Sequence, residues 1–537
     1  MDDIWGEGST TKRLAVEDDA ATDLTYEPDD LRESPPKIER SAAERAAAGP
    51  TQATELVQLA RSRYEIVRGD DGKIYAVARD LPGVAFNLRG GTGLKPKLQA
   101  DYYDDKHKAA AGGSVQDALG VLEGDALRAG ETPIHLRTGR HNGDVIIDRG
   151  TPSGAAIRIA PSGWTLLGNS PILFRRSGIS REMTSPTTGG NLDPLRAILN
   201  VSESDFRLVV AYIVAALIPE IAHPIMALLG QQGVAKSTAA RIVLSFIDPS
   251  AAGLGSQPHN PDAWAVSAYN AYALGLDNVS HMLPWLQDAL CKAVTGDSVV
   301  RRQLYSDHDV IALAFRRVII LTSIDPGSLQ GDVADRLLTI NLDPIAPTDR
   351  RTESELQSVL DTWRPAIQGA IFDLLSDVLR IMPTLDLVEK PRMADWGLVL
   401  AAVDEARGWT TLTDYIASAQ TAARDVVEGD AFAAAVVNLA HRRGRWTGTA
   451  GELLATLSED KTARGWPTTP RGAQGKLMRM TQAFAAAGVE VHQSKRSNRG
   501  TLYTIRMVDA KLCAQCGLEM AETLTVSGAS THPNCED

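Results

Sequence analysis

The residues best suited to chemistry lie in one run, Gly230-Gln231-Gln232-Gly233-Val234-Ala235-Lys236-Ser237-Thr238. Its spacing is that of a phosphate-binding loop, G-x-x-x-x-G-K-[S/T], with Ala235 where the second glycine is expected. In such a loop the backbone N–H groups wrap the phosphates of a nucleoside triphosphate such as ATP. Lys236 reaches the β- and γ-phosphates, and the Ser237 hydroxyl holds Mg²⁺. The N-terminus of the helix behind the loop adds partial positive charge. A methyl group is tolerated at Ala235 provided that φ is negative, and that is the expected backbone.

A phosphate loop needs a second strand that ends in acid, and Ala271–Asn278 fits, 41 residues beyond Lys236 at Asp277. Asp277 would hold the Mg²⁺-bound water. Asn278 follows where many such ATPases carry glutamate, so it can position the attacking water but is no strong base. A later apolar strand, Val318 to Leu321, ends in Thr322-Ser323. A polar group at Thr322 can sense the γ-phosphate. Arg336 follows Asp332 and Asp335. It suits two roles, an arginine finger acting across a subunit boundary or an internal ion pair with one of those aspartates.

Two further sets of residues suit DNA and metal. Arg301 and Arg302 precede a polar turn, Ser306–Asp309, and an apolar return, Val310–Leu313, as in a basic hairpin. Residues 441–506 carry 12 Lys/Arg against 4 Asp/Glu, although the whole chain has a net charge of −12. This segment reads as helix, helix and basic wing. A helix running from Pro470 to Ala487 carries Arg471 and Arg479, and a hairpin tip carries Lys495, Arg496 and Arg499. That is the order of a winged helix, with the helix in the major groove and the wing on phosphates. Cys513, Cys516, His532 and Cys535 have the spacing of a tetrahedral Zn²⁺ site. Cys291 lies apart and reads as a packed, apolar-like thiol.

The 537 residues that must position these groups divide by composition and period into six stretches. Residues 1–52 are acidic, the first 50 holding 13 Asp/Glu against 6 Lys/Arg, with no hydrophobic period, and are expected to be disordered. Residues 53–200 read as an accessory α+β domain. A hairpin pairs Tyr64–Arg68 with Ile74–Val77, and a helix capped by Ser114 follows. A second hairpin runs from Ile134–Arg137 through an Asn142-Gly143 turn to Val145–Ile147, and Trp164–Phe174 reads as further strand. Asp144, Asp148, His135 and His141 are expected at the surface, and no carboxylate set suited to primase chemistry is visible. Residues 201–345 form the ATPase core, entered by a helix over Asp205–Ala222. Residues 346–440 form a helical lid over Glu353–Leu360, Pro365–Ile381, Met393–Ala406, Leu412–Val426 and Ala431–His441. Residues 441–507 are the winged helix and 508–537 a zinc ribbon. The N-terminus lacks an apolar signal core and no apolar run spans a bilayer, so a cytoplasmic place in a bacterial host and no membrane partner are expected.

Taken together, Gly230–Thr238, Leu274–Asn278, Thr295-Gly296-Asp297 with Arg301-Arg302 and Leu304-Tyr305, Thr322-Ser323 and Asp335-Arg336 resemble superfamily III helicases. More closely, the set resembles the ATPase half of phage and plasmid primase-helicases and a group of ATP-binding proteins of actinobacterial phages and mobile elements. The resemblance implies an AAA+-like α/β P-loop core in a homo-oligomeric, usually hexameric, ring with ATP sites between subunits. It further implies single-stranded DNA in the channel, duplex at the winged helix, replication proteins as partners, and unwinding or origin melting as the activity. Ala235, Asn278 and Thr322 depart from the family pattern, which often has asparagine at the last position. The alternative from another class is a DNA-binding ATP switch, a loader or regulator that hydrolyses slowly.

Overall fold

The computed structural model describes residues 50–507, apart from 281, 297, 303–309, 315, 325–332, 334–335, 388–389, 458–462, 464 and 496–499. Its centre is a five-stranded parallel sheet. In chain order the elements are β1 (Ile225–Leu229), α1 (Lys236–Ile247), β2 (Leu254–Gly255), α2 (Pro261–Asn270), β3 (Ala273–Leu276), α3 (Pro284–Thr295), β4 (Val318–Ser323) and β5 (Leu337–Asn341). The strands lie in the order β2-β3-β4-β1-β5, and every adjacent pair is parallel. β1 and β4 are buried at every position, as strands covered on both faces must be.

The two faces follow from the period of 2. Met226, Leu228, Ile320, Leu338 and Ile340 join one core with α1, the helix Glu203–Ala216 and the helix Glu353–Ile381. Ile225, Ala227, Leu229, Ile319 and Leu321 join another with α2 and α3. Because the strands are parallel, the segments after β1, β2, β3 and β4 emerge at one edge of the sheet. The loop Gly230–Ala235, Asp277 and Thr322 therefore meet there, although they are far apart in sequence.

The helix entering the core spans Glu203–Ala216, capped by the Ser202 side chain, and stops short of Ala222. Residues 52–175 form two sheets. The hairpin Tyr64–Gly69 with Ile74–Ala78 is present and belongs to a six-stranded sheet. The second hairpin differs from expectation. Thr138–His141, not Ile134–Arg137, pairs with Asp144–Asp148, while Ile134-His135 crosses to the six-stranded sheet beside Leu173-Phe174. Likewise Trp164–Phe174 is two strands in different sheets, Gly163–Leu167 and Leu173–Arg175. Short apolar runs signal a strand but not its partner. The helix near Ser114 begins two residues earlier, at Gly112, without a side-chain cap.

Asp144 and Asp148 are not surface charges. Both are buried, and Asp148 takes two N–H donors from Arg176, at 2.7 and 2.8 Å. Buried charge demands such a partner. His135 is half-buried against Phe174, and burial lowers its pKa.

Two neighbouring helices of the expected lid are one. Glu353–Ile381 runs through Pro365 without a break. The carbonyl that Pro365 leaves without an N–H belongs to Asp361, an exposed residue that water can reach. The helices Ala394–Arg407, Thr411–Glu428 and Ala431–Arg443 follow. In the C-terminal part, Arg445–Thr449, Leu502–Met507 and Val489–Gln493 form a three-stranded antiparallel sheet. Thr449 caps the helix Ala450–Thr456 in a reciprocal box with Glu452. The expected helix from Pro470 to Ala487 is broken at Met480 into Pro470–Arg479 and Thr481–Ala486. No helix among the described residues is long and apolar enough to cross a membrane.

Candidate nucleotide-binding site

The loop between β1 and α1 depends on positive φ at three positions, Gly230 (φ 150°), Gly233 and Ala235. Gly233 has φ 87°, and a Cβ there would meet nothing within 4 Å, so its outer face is open. Ala235 has φ 61° and ψ 31°, which corrects the expectation of negative φ. The reversal from loop to helix requires that backbone, and the pattern usually meets it with glycine. No side chain caps α1. Its first N–H groups therefore face the loop without a side-chain acceptor, as an anion-binding helix start requires. Asn200 steadies the loop from outside by donating from its side-chain amide to Val234 O at 2.9 Å and Asp343 O at 2.8 Å. Sequence reading missed Asn200, because nothing local marks an asparagine that acts over 34 residues.

Lys236 folds over the loop. Its Nζ donates to Gly230 O and Gln231 O, both at 2.8 Å. Burial lowers its pKa, and Asp277 opposes that effect. Ser237 Oγ donates to Asp277 Oδ1 at 2.8 Å. Thr322 Oγ1 donates to the same oxygen at 2.7 Å and accepts the Asn278 N–H at 2.8 Å. Thr322 is 1 % exposed, so this hydroxyl works in a water-poor place. The Asp277 N–H donates to Gly255 O at 2.7 Å, which ties the ends of β2 and β3 together. Asn278 has φ 52°, a left-handed conformation that asparagine tolerates better than most residues. The structure thus brings Gly230–Thr238, Asp277, Asn278 and Thr322 together.

The donor set fits a triphosphate with a magnesium ion. It offers a primary ammonium, loop N–H groups, one hydroxyl and one carboxylate, all oxygen or charge partners suited to a hard cation and phosphate. A cleft of 630 Å³ opens beside this group and is lined by Gly255, Gln257, His259, Asp277, Asn278 and Leu283 among others. The segment after β2 was not singled out from sequence, since β2 is only two residues long.

Arg336 lies elsewhere. It precedes β5 and so sits at the opposite edge of the sheet from the loop. It is half-buried and donates to Cys291 Sγ at 3.5 Å, and Cys291 is a buried free thiol, as its spacing from the other cysteines implied. Arg364 donates to Ser245 Oγ at 2.6 Å near the far end of α1, which places it away from the loop.

Ser298–Arg302 and Val310–Ala314 pair as an antiparallel hairpin with Arg301 opposite Ile311 and Arg302 opposite Val310. Arg471, Arg479 and Lys495 are exposed on the C-terminal helix and strand end. Arg496 and Arg499 lie outside the described residues, as do Cys513, Cys516, His532 and Cys535 and almost all of the acidic arm.

Residues 192–425 match the family described as actinomycete integrative conjugative element replication protein. Residues 432–519 match the C-terminal domain of the same RepA proteins. No curated protein matches the chain. Among solved structures, the apo C-terminal region of NrS-1 is 12% identical, covering 84% of this chain and 98% of that one, with TM-score 0.37. The SCCmec type IV Cch active helicase is 13% identical, covering 87% and 95%, with TM-score 0.39. The JCV helicase is 13% identical over 43% and 66%, with TM-score 0.20. These superpositions are loose.

Proposed function

We propose, for a chain that belongs over its matched stretches to the family of actinomycete integrative conjugative element replication proteins, that it is an ATP-dependent DNA helicase or replication initiator. The observation that carries this reading is the cluster Ser237–Asp277–Thr322, joined through one carboxylate oxygen at the edge of three adjacent parallel strands. Such a cluster beside a phosphate loop is built to hold a metal-bound triphosphate and to respond to its terminal phosphate.

In this reading Lys236 leaves the Gly230 and Gln231 carbonyls and neutralises phosphate charge. The loop N–H groups and the uncapped start of α1 hold the β-phosphate. Ser237 and Asp277 hold Mg²⁺, which supplies charge to the oxygens of the transferring group. Thr322 links Asp277 to the Asn278 backbone, so a change at the γ-phosphate reaches both residues. Arg336 points to an assembly. At the opposite sheet edge it cannot serve its own loop, and in this reading it would exchange its present contacts, Cys291 Sγ among them, for the loop of the next copy in a ring. The Arg301-Arg302 hairpin and the exposed Arg471, Arg479 and Lys495 are the DNA contacts of this reading, with Arg496 and Arg499 extending the wing. Cys513, Cys516, His532 and Cys535 would hold a structural Zn²⁺.

Strand displacement on a forked duplex, with ATP turnover measured alongside, tests the proposal. Wild type should unwind and show DNA-stimulated hydrolysis, and Lys236→Ala should do neither. A second reading is favoured by Asn278, which puts an amide where a carboxylate would assist the water. Tight DNA binding with ATP but no unwinding and no stimulated turnover would replace the helicase with a slow ATP switch.

A further inference from the structure

Hydrolysis requires something to take a proton from the attacking water, and Asn278 has no basic atom to do so. The sheet order β2-β3-β4-β1 separates two spaces around Asp277. The phosphate loop lies on the β1 side, and the 630 Å³ cleft lies on the β2 side, beyond Asp277 and Asn278. In the ATPase reading, a water attacking a γ-phosphate held by the loop would approach from that side. Among the described residues lining the cleft, only Asp277 and His259 can accept a proton. Asp277 is already engaged, its Oδ1 accepting from both Ser237 and Thr322.

His259 is exposed, and the chain holds it in place from both sides. Upstream, Leu254-Gly255 pairs with Gly275-Leu276, and Gly255 O accepts the Asp277 N–H. Downstream, Asn260 caps α2 by accepting the Ala263 N–H at 2.8 Å. The far end of α2 is fixed as well. The Tyr269 ring lies between the Lys73 ammonium and the Arg175 guanidinium, each 3.7 Å from its centre, and its hydroxyl donates to Asp71 at 2.7 Å. His259 therefore stands on a short segment pinned beside Asp277 at one end and to the accessory domain through α2 at the other.

Resting on the ATPase reading of this site, we propose that His259 accepts the proton of the attacking water, in the role that a carboxylate at position 278 would otherwise fill. The water oxygen bonds to the γ-phosphorus as the bond from that phosphorus to the β–γ bridging oxygen breaks. The electron pair of the broken bond leaves with ADP, and the water proton passes to the unprotonated imidazole nitrogen. Solvent then removes it.

The test uses the full chain with DNA and ATP, and compares wild type, His259→Gln, His259→Ala and His259→Gln with Asn278→Asp. Proton transfer by a positioned side chain is worth about 10²–10⁴-fold in general, and less where the transition state is loose, so a fall in kcat of about tenfold to a hundredfold is expected for both single variants. KM for ATP and binding of a non-hydrolysable ATP analogue should stay within about twofold. Added imidazole should restore turnover to His259→Ala but not to His259→Gln. A carboxylate from Asn278→Asp should restore turnover in the His259→Gln background, since aspartate also tolerates a left-handed backbone. Unchanged kcat in the single variants, absence of both kinds of rescue, or loss of analogue binding would overturn the role of His259 while leaving the ATPase reading intact. No hydrolysis by wild type, with or without DNA, would overturn both.

Discussion

Replacing Ala235 with glycine is expected to stabilise the parallel-sheet core, although glycine is a poor helix former and position 235 abuts α1. The reason is the backbone. At φ 61° and ψ 31° the Ala235 Cβ crowds the following carbonyl, at a cost of about 1–2 kcal/mol for an L-residue. Glycine avoids that cost but brings extra freedom to the unfolded chain, worth about 0.4–1 kcal/mol against it. The balance favours Ala235→Gly by about 0.5–1 kcal/mol. Ala239→Gly, four residues on, is the internal control. Ala239 is a buried position inside α1, and glycine there should cost about 1 kcal/mol. The assay is urea unfolding followed by tryptophan emission, with buried Trp264 and Trp396 among the reporters in the same cores as the sheet. With slopes of about 1–3 kcal/mol/M, the two midpoints should move in opposite directions by a few tenths molar. If both variants lower the midpoint, Ala235 occupies negative φ in solution and the strain argument fails.

Thr322→Val keeps the shape of a buried residue but removes a hydroxyl that serves Asp277 and the Asn278 N–H. It should cost about 1–3 kcal/mol and lower kcat, with Thr322→Ser recovering both by denaturation and turnover assays. Gly369→Ala would place a Cβ 1.9 Å from Thr187 O, a backbone atom that cannot rotate away. It should lose about 1–3 kcal/mol and expose residues 186–190 to limited proteolysis. Burial lowers the pKa of His223 to about 4, below its unfolded value, so the unfolded chain binds the extra proton first. The contribution is complete above about pH 6.5 and is lost as pH falls towards about 4. His223→Gln should therefore flatten the pH dependence of the urea midpoint across that window relative to wild type.

Several local signals in the sequence agree with the structure. Apolar runs of five and four residues became β1 and most of β4, and the glycine–lysine–serine order became a loop and helix after β1. The helix start at Thr449 is likewise local, since its reciprocal box with Glu452 spans only four residues. Errors arose where the outcome depends on a distant partner. Ile134-His135 has the same strand character in either sheet, and only the space beside Leu173-Phe174 decides between them. Asp144 and Asp148 alternate as a surface strand would, yet Arg158 and Arg176 arrive from other strands and loops to allow their burial.

The same division runs through the site. Sequence by itself determined which chemical groups are available, because the loop Gly230–Thr238 is a contiguous pattern that carries its backbone N–H groups, ammonium and hydroxyl in one run. It also showed that position 278 lacks a carboxylate. Only the tertiary structure decided the rest. Parallel pairing brings residues 237, 277 and 322 to one oxygen atom, puts Arg336 at the other edge, and opens a cleft lined by both His259 and Asn278. These are consequences of strand order, and strand order is set by burying two apolar faces at once, which no short stretch of sequence encodes.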